Sequence, residues 1–314
     1  MTDRYAVFGN PVAHSRSPAL HAEFAQATGE DIAYERILVP LDGFAAAVQA
    51  FRASGGRGAN VTLPFKREAW QLVSQAGGQQ SGQPSGQPSG QPSSQPSGQL
   101  IGKLSARAEA AEAVNTLSFE PDGLSGDNTD GVGLVRDIEI HLGQPLAGAR
   151  VLMIGAGGAA AGVVLPLIDS GVRKLYLANR TAARALALAQ RFAFRGAGGA
   201  GDPGSADRVC ASGLDAIEGE FDIVINATSA SLGAAAPTIG HARFAPAALA
   251  YDMMYSAEPS AFLCAARARG ARIADGIGML IEQAAESFLI WRGVRPQTAA
   301  MVGRHAQPWR GSAA

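Results

Sequence analysis

Arg150-Val-Leu-Met-Ile-Gly-Ala-Gly-Gly-Ala-Ala-Ala-Gly162 runs an apolar strand pattern straight into a glycine-rich turn and then into a helix pattern. Val151–Ile154 predicts a buried parallel strand. Gly155, Ala156, Gly157 and Gly158 predict a tight turn whose backbone N–H groups can approach a pyrophosphate closely. Ala159 opens a helix whose N-terminal donors and positive dipole end favour that anion. A glycine turn alone is a weak signal, so the residues downstream carry the reading. After Gly171 comes a second strand, Lys174–Ala178, ending in Asn179, Arg180 and Thr181, with Arg184 one helical turn further on. A carboxylate at that strand end would hold the 2′-hydroxyl of NAD and repel a 2′-phosphate, whereas guanidinium groups and a threonine hydroxyl bind one. The expected cofactor is therefore NADP.

The 314 residues allow one large or two medium domains, each able to bury its own core. Lys and Arg number 26 against 27 Asp and Glu, a net charge of −1, so no basic field points to nucleic acid or to an acidic membrane surface. Two isolated cysteines, Cys210 and Cys264, and five scattered histidines support neither a disulfide framework nor a metal site. Both thiols are expected to be buried. No basic-then-apolar leader opens the chain, and no run approaches the roughly 18 apolar residues of a membrane span. The expectation is a soluble cytoplasmic protein.

Tyr5–Phe8 predicts a short strand ending in the turn Gly9-Asn10-Pro11. Ser15 and Ser17 then stand two apart before a helix, Ala19–Thr28. In an extended segment both would point to one side and could grip a small oxyanion. The alternative is that Ser17 caps the helix with Pro18 in its first turn. A strand Ile32–Leu38 and a helix from Leu41 to about Ser54 follow. The next strand delivers Asn60 and Thr62 on one face, and Pro64 stops the ladder so that Lys66 starts a helix. The helix dipole disfavours a lysine there, which hints at another reason for it. If desolvated it could exchange protons; a solvated surface lysine is the alternative. From Gly77 to Gln99 a four-residue Ser-Gly-Gln-Pro repeat predicts a surface loop. Lys103–Glu112 reads as a helix, and Ala113–Leu117 begins a strand. Asp127, Asn128 and Thr129 form a polar turn that leads into the helix Val132–Leu142, with Asp130 in its first turn.

The segments His14-Ser-Arg-Ser-Pro18, Asn60-Val-Thr-Leu-Pro-Phe-Lys66, Ala113-Val-Asn-Thr-Leu117, Gly126-Asp-Asn-Thr-Asp-Gly131 and Gly155-Ala-Gly-Gly-Ala159 together resemble, in content and order, the shikimate dehydrogenase family. The resemblance implies an α/β protein with an N-terminal α/β substrate domain over 1–129 and a Rossmann-like doubly wound NADP domain over 130–275. C-terminal helices over 276–314 return to the substrate domain, and a cleft separates the two domains. It implies NADPH-dependent reduction of 3-dehydroshikimate to shikimate, on the route to aromatic amino acids. In that frame Ser15 and Ser17 bind the carboxylate, and Tyr255 reaches the same end. Asn60, Thr62, Asn115 and Gln283 pair with ring hydroxyls, while Lys66 and Asp130 handle the proton.

The cofactor domain continues through a helix Ala182–Phe192, a Gly/Ala-rich insert Gly196–Ala206 and a strand Phe221–Asn226. Further strands are expected at Ala248–Asp252 and Arg272–Gly276, and helices at Ser260–Arg269 and Gly278–Phe288. Thr228 and Ser229 are the expected contacts to the nicotinamide half, and Met253 and Gly276 are further expected cofactor contacts. The sequence departs from the family's pattern at Ala160-Ala161, where Ser-Arg is often found, and at Ser260-Ala261, where Thr-Pro is usual. A broader quinate/shikimate dehydrogenase using NAD, and a non-catalytic dinucleotide sensor, are the competing readings. Monomer and homodimer both remain open, and the expected partners are small molecules.

Overall fold

Phe8 and Phe65 are fully buried, and the packing around them decides where the first sheet's polar residues lie. The computed structural model describes residues 2–78, 101–121, 123–192, 208–228 and 236–312. Most of the serine/proline repeat, the Gly196–Ala206 insert and Ser229 lie outside them. The chain forms two compact units, Met1–Asn128 with Trp291–Gly293, and Thr129–Ile290 with Val294–Ala314.

In the first unit β1 (Asp3–Gly9) pairs in parallel with β2 (Ile32–Leu38) and β3 (Gly56–Val61), connected through α1 (Ser17–Thr28) and α2 (Phe44–Ala53). α3 (Lys66–Gly78) leads on towards β4 (Ile101–Leu104), α4 (Ala106–Ala111), β5 (Thr116–Phe119) and β6 (Gly123–Asp127), giving the strand order β2-β1-β3-β5-β6-β4. Phe8 meets Phe44 and Phe51 edge-on, at 6.2 and 5.7 Å between ring centroids, and Phe44 stacks on Phe65 at 5.2 Å. Phe65 thereby anchors the residue before Lys66. The expected helix Lys103–Glu112 begins later, because Ile101–Leu104 is a strand and Ser105 caps α4, its Oγ accepting from Ala108 N at 3.2 Å. Gly102 lies so close to α3 that an added Cβ would sit 1.9 Å from the Val73 carbonyl oxygen. α3 runs two residues into the stretch expected as loop from Gly77.

The second unit holds β7 (Arg150–Ile154), α6 (Gly158–Asp169), β8 (Lys174–Asn179), α7 (Ala182–Phe192), β9 (Val209–Gly213), β10 (Glu218–Asn226), β11 (His241–Asp252), α8 (Ala261–Arg267) and β12 (Arg272–Asp275). All pairings are parallel, in the order β12-β11-β10-β7-β8-β9. The chain winds outward from β7 through β8 to β9, then returns to β10 on β7's other side. That is the doubly wound arrangement expected from the glycine turn, with its switch point between β7 and β10. Cys210 is half-buried and Cys264 exposed, so neither thiol is sequestered as expected; Cys264 lies on the outer side of α8.

α5 (Asp130–Arg136) is followed by one wide π turn, Asp137–His141, where a single helix Val132–Leu142 was expected. Against it runs α9 (Ile277–Arg292), and α10 (Ala299–His305) follows. A Cβ at Gly133 would stand 2.7 Å from the Met279 carbonyl oxygen, so only glycine allows this approach. Glu282, with no exposed surface, accepts from Arg136 Nε at 2.7 Å and Arg295 Nη2 at 2.7 Å, lies 2.8 Å from His141 Nε2, and is also bonded by Thr298 Oγ1. Burial alone pushes its pKa up, but these donors outweigh burial and hold it below the ordinary carboxylate range. These contacts keep α9 with the second unit as far as Ile290, whereas residues 276–314 were expected to join the N-terminal domain. Only Trp291–Gly293 group with the first unit, where Trp291 stacks on Tyr5 and Arg292 pairs with Asp3 and Glu30.

Glu282→Gln is expected to destabilise the protein by about 3–5 kcal/mol, because it removes a buried charge on which partly buried cations converge; urea denaturation measures it. A second expectation concerns pH. His21 in α1 is fully buried and stacked on Tyr34 at 4.2 Å, and burial pushes its imidazole down to about 3, the neighbouring Asn60 side chain pulling the other way. Below about pH 6.5 the unfolded chain takes up a proton that the folded one refuses, so stability falls with acid until about pH 3. Wild type should lose about 1.4 kcal/mol per pH unit more than His21→Phe over pH 6 to 4, by urea denaturation at each pH.

Candidate active site

Ser15 and Ser17 are brought together, with Oγ atoms 3.2 Å apart. The cause is a turn rather than an extended segment. Ser15 N donates to Val12 O at 3.0 Å, and Arg16 has helical dihedrals, φ −86° and ψ −7°. Arg16, not Ser17, holds the cap position of α1, so the capping alternative for Ser17 does not apply. Ser15 Oγ accepts from Ser17 N at 3.3 Å, which leaves two linked hydroxyls at the start of α1.

The amides Asn60 and Asn115 are also neighbours. Asn60 Nδ2 donates to Asn115 O at 3.1 Å and to Thr116 Oγ1 at 3.2 Å, and Thr116 Oγ1 donates to Asn115 Oδ1 at 2.8 Å. Tyr34 OH donates to Asn60 Oδ1 at 2.8 Å. Lys66 is the first residue of α3, and its carbonyl accepts from Val114 N at 2.8 Å, which places it one residue from Asn115. Thr62, half-buried, lies at the end of β3 with its N–H on Phe8 O at 2.9 Å. Tyr34 and His21 were not singled out from the sequence; for Tyr34 the signal was a polar ring on alternate positions of β2.

In the second unit Asp130 opens α5 and is 5% exposed. Gln283 on α9 is 8% exposed, its Nε2 donating to Leu280 O at 2.8 Å and its Oε1 lying 3.5 Å from Thr129 Oγ1. Tyr255 is half-buried beyond the end of β11.

At the switch point Gly155 takes φ +115°, and an added Cβ would press on Thr228 Cγ2 at 3.0 Å. Gly157 and Gly158 differ, since a Cβ at either would meet open space. That open space in front of the first turn of α6 fits a pyrophosphate held by backbone N–H groups. Asn179 Nδ2 donates to Thr181 O at 3.0 Å, and Arg180, Thr181 and Arg184 are exposed. No Asp or Glu occurs between Lys174 and Arg191, so nothing in that segment opposes a 2′-phosphate. Thr228 Oγ1 donates to Asn226 Oδ1 at 2.7 Å, and Asn226 Nδ2 reaches Asp252 Oδ2 at 3.3 Å. Met253 N donates to Asn226 O and Gly276 N to Met254 O, each at 3.0 Å, so Thr228, Met253 and Gly276 stand together at the strand ends. Ser260 caps α8 and also donates to Asp252 Oδ2 at 2.7 Å. Ala160 and Ala161 are buried in α6. Among the described residues no cluster of three or more His, Cys, Asp or Glu could hold a metal, and no helix is long and apolar enough to cross a membrane.

The family model for the shikimate dehydrogenase substrate binding domain matches residues 7–80, that for shikimate / quinate 5-dehydrogenase matches 139–235, and that for the shikimate 5'-dehydrogenase C-terminal domain matches 276–303. A shikimate dehydrogenase (NADP(+)) from Aromatoleum aromaticum is 51% identical over 96% of this chain and 95% of its own length. The chain belongs to the shikimate dehydrogenase family. Among solved structures, an Ael1 enzyme from Pseudomonas putida is 41% identical with a TM-score of 0.80, over 98% of this chain and all of that one. Another member, shikimate 5-dehydrogenase from Thermus thermophilus in complex with NADP(H) and shikimate, is 28% identical with a TM-score of 0.70, over 96% of this chain and 97% of its own.

The two glycines of the turn should respond differently to alanine. Gly157→Ala, whose methyl meets no protein atom, is expected to keep the wild-type melting temperature while raising the KM for NADP⁺ about tenfold or more. Gly155→Ala is expected to lower the melting temperature, since its φ is positive and its Cβ is crowded. Thermal melts beside initial-rate kinetics separate the two.

Proposed function

We propose that the chain reduces 3-dehydroshikimate to shikimate with NADPH, and runs in reverse when given shikimate and NADP⁺. The observation that carries this reading is the gathering, in the first unit, of a linked hydroxyl pair and of a lysine beside two fixed amides. Hydroxyls recognise a carboxylate, amides recognise ring hydroxyls, and an ammonium serves an oxygen that gains charge. When bound, NADPH supplies the hydride. Gly155, Ala156, Gly157, Gly158 and Ala159 would hold its pyrophosphate; Asn179, Arg180, Thr181 and Arg184 its 2′-phosphate; Thr228, Ser229, Met253 and Gly276 its nicotinamide half.

Ser15 and Ser17, with Tyr255, bind the substrate carboxylate. Asn60, Thr62, Asn115 and Gln283 meet the ring hydroxyls, Asn60 also bracing Asn115 through Thr116. As negative charge develops on the ketone oxygen, Lys66 stabilises it and gives it a proton. Asp130 hydrogen-bonds the same oxygen and orients the ammonium. In this assignment residues 1–129 are the substrate domain and the doubly wound sheet is the cofactor domain. The enzyme acts in the cytoplasm, as a monomer or a homodimer.

Lys66→Ala should lower kcat by about 10²–10⁴ with little change in the KM for shikimate, as followed by the absorbance of reduced nicotinamide. Near-full turnover in that variant would remove Lys66 from the mechanism. Replacing Arg180 and Arg184 by Gln should erase the preference for NADP⁺ over NAD⁺ in the same assay. An unchanged preference would move the 2′-phosphate contact elsewhere.

A further inference from the structure

Strand β2 carries Tyr34 and Arg36 two residues apart, and the alternation of a strand sends both to the same side of the sheet. Tyr34 takes up the Asn60 amide. Arg36 reaches the loop before α1, where Nε and Nη2 both donate to the backbone carbonyl of Ser15, at 2.9 and 2.6 Å. A long exposed cation loses rotamer freedom when it is held in one geometry, and a lone exposed contact returns little stability for that. Two donors converging on one loop carbonyl therefore point to a role in the loop's shape. The carbonyl belongs to the residue whose hydroxyl bonds both the N–H and the hydroxyl of Ser17. Fixing that peptide fixes the pair. Glu35, next to Arg36 on the strand, alternates to the other face and is paired with Arg4 at 2.7 Å.

We propose that Arg36 is a positioning residue of the substrate site. Its forked guanidinium clamps the Ser15 carbonyl so that the Ser15 and Ser17 hydroxyls face a carboxylate together, and its charge draws that carboxylate in. This rests on the reading of Ser15 and Ser17 as carboxylate ligands.

The test is steady-state kinetics with shikimate and NADP⁺ on Arg36→Gln, Arg36→Lys, Ser15→Ala and Ser17→Ala, and on Arg36→Gln combined with Ser15→Ala. Arg36→Gln is expected to raise the KM for shikimate about tenfold, with kcat and the KM for NADP⁺ within about twofold of wild type. The wild-type kcat/KM for shikimate should fall as NaCl is added; Arg36→Gln should flatten that slope, and Arg36→Lys should keep the slope while losing part of the affinity. In the Ser15→Ala background Arg36→Gln should cost much less than it does alone. An Arg36→Gln enzyme with a lowered melting temperature and an unchanged KM for shikimate has lost a structural contact only, which overturns the proposal. So does an equal loss for shikimate and NADP⁺. If Ser15→Ala weakens shikimate and Arg36→Gln does not, this inference fails and the substrate-site reading stands. If neither Ser15→Ala nor Ser17→Ala changes the KM, both fail.

Discussion

A carboxylate taken fully out of water persists as an anion only when its lone pairs are met by good donors. Glu282 is in that position, and its partners come from α5, from the π turn after it and from the segment after α9. Sliding or rotating α9 would break charged hydrogen bonds in a place where water cannot replace them, so the register of that helix is fixed. Steric contact at Gly133 imposes the same register independently. Two features then follow without further stabilisation. Gln283, the next residue, is set beside Thr129, and Asp130 is set at the head of the helix that Arg136 ties down.

The first unit reaches an equivalent rigidity mainly through main-chain bonds. Val61 N donates to Asn115 O, Asn115 N to Asp127 O and Val114 N to Lys66 O, so the starts of α3, β5 and the end of β6 share one set of backbone bonds. Asp127 is itself held by Arg107 at 2.7 and 2.9 Å and by Ser105. The backbone of Lys66 is thus placed by main chain on one side and by buried Phe65 on the other. A residue in a helix's first turn against the sense of the dipole is tolerated when packing of its neighbour decides the position.

How far the sequence could be read depended on the range of the interaction involved. The strand from Val151 to Ile154, the glycine turn and the strand ending at Asn179 were legible because period, turn chemistry and cap all lie within thirty or so residues of chain. The pairing of Ser15 with Ser17 was legible as an outcome but not in its cause, since a turn through Arg16 and not strand alternation brings the hydroxyls together. The strand Ile101–Leu104 takes two residues from the helix expected at Lys103, because its partner strand and the close approach of α3 to Gly102 are not local properties. The same holds for Arg36 on Ser15, for Asn226 on Asp252 and for the four partners of Glu282. Each is a polar residue that looks ordinary until a distant segment arrives. Ser260 illustrates the reverse: its capping role was visible locally, while its bond to Asp252 was not.

The residues proposed for cofactor and for substrate differ in dielectric environment, and on that assignment the difference bears on selectivity. Arg180, Thr181 and Arg184 are exposed, so each charge acts through screening solvent and contributes modestly. In the proposed assignment, preference for a 2′-phosphate there would arise from several groups acting together and from the absence of any carboxylate between Lys174 and Arg191. Ser17, Asn115 and Asp130 are buried, and a buried polar group left without its partner costs far more than an exposed one. In the proposed assignment, a small ligand that lacks one matching hydroxyl or carboxylate forgoes a hydrogen bond that these buried groups would make to it. On the proposed assignment, discrimination among small substrates is expected to be stricter than discrimination between the two dinucleotides, because the first would be set by hydrogen bonds in a low dielectric and the second by screened charge.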